Sequence, residues 1–311
     1  MEAARTQAGP EQEAPEAPLR TGPAPADPAQ QILALQRQAG NRAVMSALRI
    51  DRKVEVRDVG RGEASGFARV PEFIDRLNAL SPSLFWTLEG RELAFEAIPG
   101  ITPNNFETQM MALVSQDQVL PMRMTNRHGL LGDKTNGFHD KVDGDAFTSG
   151  YVDIDDLLAG DDLGFQMLLV HFLTERAATS NYARRIGTDF SQAEFDRGHA
   201  LGIEAEAEIL RAFFGDPTIR IVADSPSVTI RRVFRNSRGH RFRRRIRLGR
   251  GRDEAGINAS SVDVVVDGNT VLTAEEYLAR LDQERTAAQV KRERLQGATE
   301  HREGGRSVPA P

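Results

Sequence analysis

The sequence predicts an α+β fold with a mixed core of helices and strands, C-terminal β-hairpins and disordered termini. Three patterns support this class. Apolar residues recur at helical spacing in several segments between residues 70 and 215. Apolar and polar residues alternate on both sides of two turn signals in the last third of the chain. The two ends lack the large apolar side chains that a packed core requires.

The composition is that of an ordinary globular protein, with 40% hydrophobic residues, 27% charged residues and a formal net charge of -5 over 311 residues. The absence of cysteine excludes disulfides, thiolate zinc sites and cysteine nucleophiles. No apolar run approaches the roughly 20 residues that span a bilayer. The N-terminus is Pro-rich and acidic, unlike a signal peptide. We therefore expect neither a transmembrane segment nor a signal peptide.

The N-terminal region is expected to contain an arm and a hook. Residues 1–27 combine Ala, Pro and Glu, which predicts a disordered arm. Residues 28–50 are expected to form an amphipathic hook helix, because Asp27 suits the N-cap, Pro28 suits the first helical position and an apolar stripe follows. This helix would dock either on its own domain or on a partner.

Residues 51–220 are expected to form the main α+β domain. In chain order we expect a helix in "PEFIDRLNAL", a hairpin in "FWTLEGRELAFEAI", a helix in "PNNFETQMMALVS", a short strand in "VLPMRMT", an edge strand in "GYVDIDD", and helices in "DDLGFQMLLVHFLTERAATS" and "SQAEFDRGHALGIEAEAEILRAFFGD". The last helix starts with a capping box of Ser191 and Glu194 and stops at Gly215. The polar, Gly-rich stretch 128–150 is long enough to be a functional loop.

Residues 221–290 are expected to form two β-hairpins and a C-terminal helix that pack on this domain. The hairpins turn at "NSRG" and at Asp267-Gly268, and the helix begins with a capping box of Thr273 and Glu276. Residues 291–311 are expected to form a disordered tail.

The segment "LLVHFLTER", residues 168–176, resembles an altered zinc-protease helix. In the signature HExxH, two His one turn apart hold the metal and the Glu activates water. His171 matches the first His, Phe172 replaces the Glu, and Glu175 replaces the second His. His171 and Glu175 project within roughly 40° of each other on a helix, so both can face one site.

The next long helix adds a second His and Glu. Its apolar stripe contains Ile203 and Leu210, and His199 and Glu206 fall near the centre of that stripe. A carboxylate buried without a partner is costly, so Glu206 needs a cation, a protonated partner or a metal. A subset of three from His171, Glu175, His199 and Glu206 resembles the two-His, one-carboxylate sets that bind zinc or iron.

A bound zinc or other divalent metal would activate water for attack on a carbonyl. Phe172 cannot be the base, so Glu175 or Glu206 would have to act as the catalytic carboxylate, or Asp153 or Asp155 would have to reach the site. In the alternative interpretation the group is a structural polar cluster, in which His171 hydrogen-bonds a carboxylate and an arginine neutralises Glu206. The candidate arginines are Arg176, Arg184 and Arg185.

An arginine-rich hairpin is the second candidate site. Residues 231–252 hold eleven arginines. Alternation places Phe242, Ile246 and Leu248 on one face of a strand, and the opposite face carries the candidate anion-binding residues Arg241, Arg243, Arg245 and Arg247. Such a ribbon can meet phosphates or anionic lipid. The arginines can instead pair with the acidic helix around Glu204 and Glu208, or protect an edge hairpin from aggregation. No recognition motif accompanies the ribbon, which disfavours nucleic acid.

The segment "ILALQRQAGNRAVMSAL", residues 32–48, resembles the "LQRxAGNRAV" segment of proteins associated with bacterial extracellular contractile injection systems (eCIS). The resemblance implies a docking segment for the tube or sheath of an injection particle. Its matching residues are Leu35, Gln36, Arg37, Ala39, Gly40, Asn41, Arg42, Ala43 and Val44.

This resemblance implies that the protein is a cargo or effector with a zincin-like, metallopeptidase-like domain. It also implies that the protein is packed into the particle in the bacterial cytoplasm and exported inside it. The carried-over site residues are His171 as first metal ligand and, by position, Glu175, with a protein as the substrate. Phe172 departs from the family motif. The alternatives are a non-catalytic structural or adaptor component of the same system, and anion or nucleic-acid binding through the arginine-rich hairpin.

Overall fold

The fold is described from a computed structural model of the chain. The described residues are 54–59, 65–126, 145–188, 190–224, 230–247, 257 and 259–304. The predicted arm 1–27, the predicted hook 28–50 and residues 128–144 of the predicted loop lie outside them. The described residues form helices and two β-sheets, so the α+β class is confirmed.

The first sheet has the strand order β2-β3-β1-β4-β6-β5. Its strands are β1 (Val54–Asp58), β2 (Leu84–Glu89), β3 (Glu92–Ala97), β4 (Leu120–Thr125), β5 (Asp145–Ala146) and β6 (Tyr151–Asp153). β4 pairs in parallel with β1 and β6, and the remaining pairs are antiparallel. The predicted hairpin is β2 and β3, and the predicted strand "VLPMRMT" is β4.

The predicted strand in "GYVDIDD" is present as β6, but the prediction that it is an edge strand and alternates beyond Asp153 is wrong. β6 ends at Asp153 and lies between β4 and β5, so the two-residue strand β5 forms this edge of the sheet. The chain then enters a short helix, because the Asp153 carboxylate accepts hydrogen bonds from the backbone N–H groups of Asp155 (3.0 Å) and Asp156 (3.2 Å). An Asp at this position satisfies the free N–H groups of a helix start, and this local preference overrides the alternating pattern.

The helices before the second sheet confirm the predicted ones and add two short helices. They are α1 (Val70–Ala79), α2 (Asn105–Val114), α3 (Ile154–Ala159), α4 (Asp162–Ala177), α5 (Tyr182–Arg185) and α6 (Gln192–Phe214). The capping box of Ser191 and Glu194 is present at the start of α6. Gly215 ends α6 in the left-handed region, at φ 61°, where glycine carries no Cβ penalty.

The second sheet is antiparallel throughout, in the order β11-β10-β9-β8-β7. Its strands are β7 (Arg220–Asp224), β8 (Ile230–Arg235), β9 (Arg241–Arg247), β10 (Ala259–Val266) and β11 (Thr270–Thr273). Both predicted hairpins are therefore present. The helix α7 (Ala274–Gly304) follows, and the Thr273–Glu276 capping box starts it. α7 continues beyond residue 290, where we predicted a tail, because the segment is rich in the helix formers Ala, Gln, Glu and Arg.

One hydrophobic core joins the two sheets. It includes Val56 of β1, Leu169 of α4, Leu210 of α6 and Phe242 of β9. α4 is buried over most of its surface and packs along α6. Asp161 fixes its start, because the carboxylate accepts hydrogen bonds from the N–H groups of Gly164 in α4 and Val262 in β10. α4 therefore carries its side chains into the space between α6 and the second sheet. Of the helices in the described ranges, none combines the length and the apolar character needed to cross a membrane.

Candidate metal centre

α4 places His171 and Glu175 one turn apart on its buried surface. His171 is 4% exposed and Glu175 is 3% exposed. Residues four apart on a helix are neighbours, and Nε2 of His171 lies 3.7 Å from Oε2 of Glu175. The predicted shared face of these two residues is confirmed.

α6 brings His199 and Glu206 against that face. The approach depends on Gly202, where an added Cβ would lie 2.7 Å from Nδ1 of His171 and 2.9 Å from its carbonyl oxygen. The ring of His199 stacks on Phe195, with centroids 5.2 Å apart, and meets the His171 ring edge-on at 5.0 Å. The four predicted residues therefore converge between the two helices.

Three of the four form a group that can hold a metal ion. Ligand atoms of His171, Glu175 and His199 lie within 4.8 Å of one another. Tetrahedral ligands about 2.1 Å from one zinc ion lie about 3.4 Å apart, so these side chains would have to approach one another by up to about 1.4 Å when an ion binds. Oε1 of Glu175 lies 3.3 Å from Nδ1 of His199 and, although buried, accepts no hydrogen bond from the described residues. A buried carboxylate oxygen with unused acceptor capacity fits a cation ligand.

Glu206 lies on the far side of His171 and is fully buried. Its Oε1 lies 3.2 Å from Nδ1 of His171, but the geometry is not that of a well-formed hydrogen bond. The same oxygen lies 2.6 Å from a guanidinium nitrogen of Arg232. Arg244 also donates to this oxygen. Burial raises the pKa of Glu206, but attraction by Arg232, Arg244 and His171 outweighs burial and lowers the pKa to about 2. Glu206 is therefore ionised at neutral pH.

Glu206 occupies the position of a supporting carboxylate. Ligating histidines commonly offer their second ring nitrogen to a carboxylate, which fixes the ring and leaves the other nitrogen for the metal. Here Nδ1 of His171 faces Glu206 while Nε2 faces Glu175 and His199. The geometry thus distinguishes three ligand candidates from one orienting residue.

Arg232 and Arg244 are the functional residues that sequence reasoning missed. They are 6% and 3% exposed and lie directly opposite each other on β8 and β9. The Nη2 atom of Arg232 is 3.4 Å from Nε2 of His171 and 3.3 Å from Nε2 of His199. Alternation along β9 places Arg244 on the inward face with Phe242 and Ile246, and that signal could have revealed it.

The three arginines proposed to neutralise Glu206 have other roles. Arg176 donates to the carbonyl oxygens of Pro121 (3.0 Å) and Tyr151 (3.1 Å). Arg185 pairs with Glu194 at 2.6 Å, and Arg184 is exposed. The expectation that one of these three arginines neutralises Glu206 is wrong, because Arg232 and Arg244 of the second sheet pair with its carboxylate instead.

The two aspartates considered as alternative bases are engaged elsewhere. Asp153 caps α3, and Asp155 pairs with Arg69. Within the described ranges, the ligand group consists of His171, Glu175 and His199 and includes neither aspartate.

The predicted arginine face is present on β9. Arg241 is exposed and Arg243 and Arg245 are partly exposed, whereas Phe242 and Ile246 are buried. Arg247 ends the strand, and its side chain and Leu248 lie outside the described part of the structure. The alternative pairing with the acidic helix is not found in the described residues: Glu204 and Glu208 pair with Arg211 at 2.7 and 2.8 Å.

Comparisons with known proteins found no match: no family model, no curated protein and no solved structure is similar to this chain. The function must therefore be inferred from the residues of the site.

Proposed function

We propose that this protein is a cargo or effector of a bacterial contractile injection system and that its α+β domain is a metal-dependent hydrolase. The observation that carries the enzymatic half is the convergence of ligand atoms of His171, Glu175 and His199 within 4.8 Å of one another between the buried helix α4 and α6. Two imidazoles and one carboxylate suit zinc or iron and leave a coordination position for water or substrate.

The residues divide the work according to their surroundings. The metal would supply a water of lowered pKa. His171 and His199 would hold the ion, and Glu206 would hold His171 through Nδ1. Glu206 is a weak base, because its pKa of about 2 is far below neutral pH. Glu175 is the candidate for proton transfer by position, since its two oxygens face different histidines and only one of them is needed to bind the ion.

A bound divalent ion would give the centre a preference for anionic groups. Two carboxylates and two guanidiniums of the cluster balance in charge, so a divalent ion would leave an excess of two positive charges. Hydroxide or a carboxylate of a peptide substrate would offset one of these two charges. Because Nη2 of Arg232 faces both Nε2 atoms, the guanidinium must move when an ion binds there.

The injection-system half of the proposal is supported by "LQRQAGNRAV", which precedes the described domain. Docking of residues 28–48 on tube or sheath would package the protein in the bacterial cytoplasm and export it in the particle. Deletion of residues 28–48 should abolish co-purification with particles while leaving the thermal unfolding of the domain unchanged. Retained co-purification would contradict this role.

The second candidate function is that of a non-catalytic structural or adaptor component. The specific observation in its favour is the charge balance of the cluster, where Arg232 already provides a cation to both histidines. In this case the polar cluster specifies the packing of α4 on α6 and on the second sheet.

Metal analysis separates the two candidates. Purified protein is equilibrated with excess Zn²⁺, Fe²⁺ or Mn²⁺, dialysed, and measured by mass spectrometry of the elements. The hydrolase proposal predicts one tightly held ion per chain, lost in His171→Ala and retained in the matched control His240→Ala, whose His lies outside the cluster. No stoichiometric metal in the wild type would contradict the enzymatic half and leave the adaptor role.

A further inference from the structure

The outward face of the second sheet carries an unexpected row of arginines. Arg220 of β7 is paired with Arg235 of β8, and Arg235 is paired with Arg241 of β9. Directly paired residues project to the same side of a sheet, with Cβ atoms about 4.5–5.5 Å apart. All three residues are exposed.

Two more arginines extend this row along β9. Arg243 and Arg245 follow Arg241 on the same face and share one carboxylate, Asp263, at 3.6 and 2.7 Å. Among the described positions paired across this face, Asp263 is the single acidic residue. We name the five arginines the arginine face: Arg220, Arg235, Arg241, Arg243 and Arg245.

The arginine face is electrostatically strained. Like charges placed directly opposite each other on neighbouring strands destabilise a sheet. Burial and repulsion from Arg245 and Arg241 lower the pKa of Arg243, against the attraction of Asp263. The protein as a whole is acidic, with a net charge of -5, so the cluster does not reflect a generally basic composition.

Protection against aggregation does not explain this arrangement. Charged residues protect edge strands, where backbone groups are unpaired. β9 carries three of the five arginines and is the central strand of the sheet, with β10 on one side and β8 on the other. Within the described residues, the face combines five guanidiniums with one carboxylate, which suits an anionic partner.

We propose that the arginine face binds the phosphate backbone of double-stranded nucleic acid without reading its sequence. Guanidinium groups bind phosphate oxygens with two parallel hydrogen bonds. The other described positions paired across the face, including Val233, Ser261 and Thr273, offer no aromatic ring for a base to stack on. Contact would thus be with the backbone.

Double-stranded nucleic acid fits this face better than a membrane. Peripheral membrane binding combines basic residues with large apolar side chains that enter the bilayer. Among the described side chains paired across these rows, the apolar ones are small: the alanines Ala223 and Ala259 and the valines Val233, Val265 and Val271. The side chain of Ile230, which pairs with Arg245, lies outside the described part of the structure. The arginine face and the metal centre lie on opposite sides of the second sheet, because Phe242 and Arg244 of β9 point inward, away from the arginine face. The proposal therefore does not depend on the metal centre.

Fluorescence anisotropy of a short labelled duplex DNA, titrated with the full chain at several salt concentrations, tests the proposal. Five phosphate contacts at about -0.9 each predict a slope of about -4.5 for log K against log salt, or a loss of about 500-fold between about 50 and 200 mM salt. Duplexes of unrelated sequence should bind equally.

The test variant is Arg235→Gln/Arg241→Gln, for which the slope should fall by about 1.8. Its fold should be retained, since the exchange removes repulsion, and thermal unfolding checks this. The matched control Arg91→Gln/Arg197→Gln removes two exposed arginines elsewhere and should bind like the wild type. The proposal is overturned by no binding at low salt, by salt-independent binding, by equal loss in the control, by preference for single-stranded DNA, or by tighter binding to phosphatidylserine vesicles.

Discussion

Replacement of Glu206 by Gln tests the charge arrangement of the cluster in the sharpest way. The exchange keeps the volume of the side chain but removes the negative charge that Arg232 and Arg244 share. Lowering the pKa from 4.5 to about 2 corresponds to about 3 kcal/mol of stability at neutral pH. Breaking one partner of a buried ion pair costs about 3–5 kcal/mol, which agrees.

We therefore expect Glu206→Gln to lower the free energy of unfolding by about 3 kcal/mol in urea titrations at pH 7. The thermal midpoint should fall by about 6–12 °C. Glu208→Gln is the matched control on the same helix: its carboxylate is half exposed and pairs with Arg211, so the change should stay below about 1 kcal/mol.

The pH dependence provides a second check. Glu206 has a lower pKa in the folded protein than in the unfolded chain, so its contribution is complete above pH 4.5 and is lost as the pH falls toward about 2. The stability difference between wild type and Glu206→Gln should shrink over this range. If Glu206→Gln is as stable as Glu208→Gln at pH 7, Glu206 is not a buried ionised partner of the two arginines. A stability difference between wild type and Glu206→Gln that grows on acidification would contradict it as well.

Three further predictions concern the elements that build the site. Gly202→Ala should lower the free energy of unfolding by about 1–3 kcal/mol, because the added Cβ meets His171 and this clash outweighs the higher helix propensity of Ala. Calorimetry measures the change, and increased stability would contradict the close approach of α6 to His171. Asp161→Ala should cost about 1–2 kcal/mol in urea titrations through loss of the α4 cap, and an unchanged midpoint would contradict that role. Tyr277→Phe removes the 2.7 Å hydrogen bond to His240 and should cost about 1 kcal/mol in the same assay, whereas a gain in stability would contradict it.

Local signals predicted much of the fold. The capping box of Ser191 and Glu194 and the stop at Gly215 defined α6 at both ends, because these signals depend on residues only a few positions apart. The Asp267-Gly268 turn likewise defined the β10–β11 hairpin. Helical spacing also placed His171 and Glu175 on one face.

Long-range pairing was beyond the sequence pattern. Alternation along β9 assigns Arg244 to the inward face but does not show that Glu206 faces it from α6. Likewise, the pairing of Arg235 with Arg241 depends on the register of β8 against β9. The register shifts between Ile230 and Arg232, and the two-residue alternation of a strand does not predict such a shift. These contacts are set by packing among distant segments, so they appear only in the assembled structure.

The most direct test of the metal centre is anomalous X-ray scattering from crystals grown with Zn²⁺. We expect one anomalous peak about 2.0–2.2 Å from Nε2 of His171, a carboxylate oxygen of Glu175 and a ring nitrogen of His199. The guanidinium of Arg232 should have moved away from the two rings. A cluster without a peak, in which Arg232 still lies between the histidines, would contradict the metal centre.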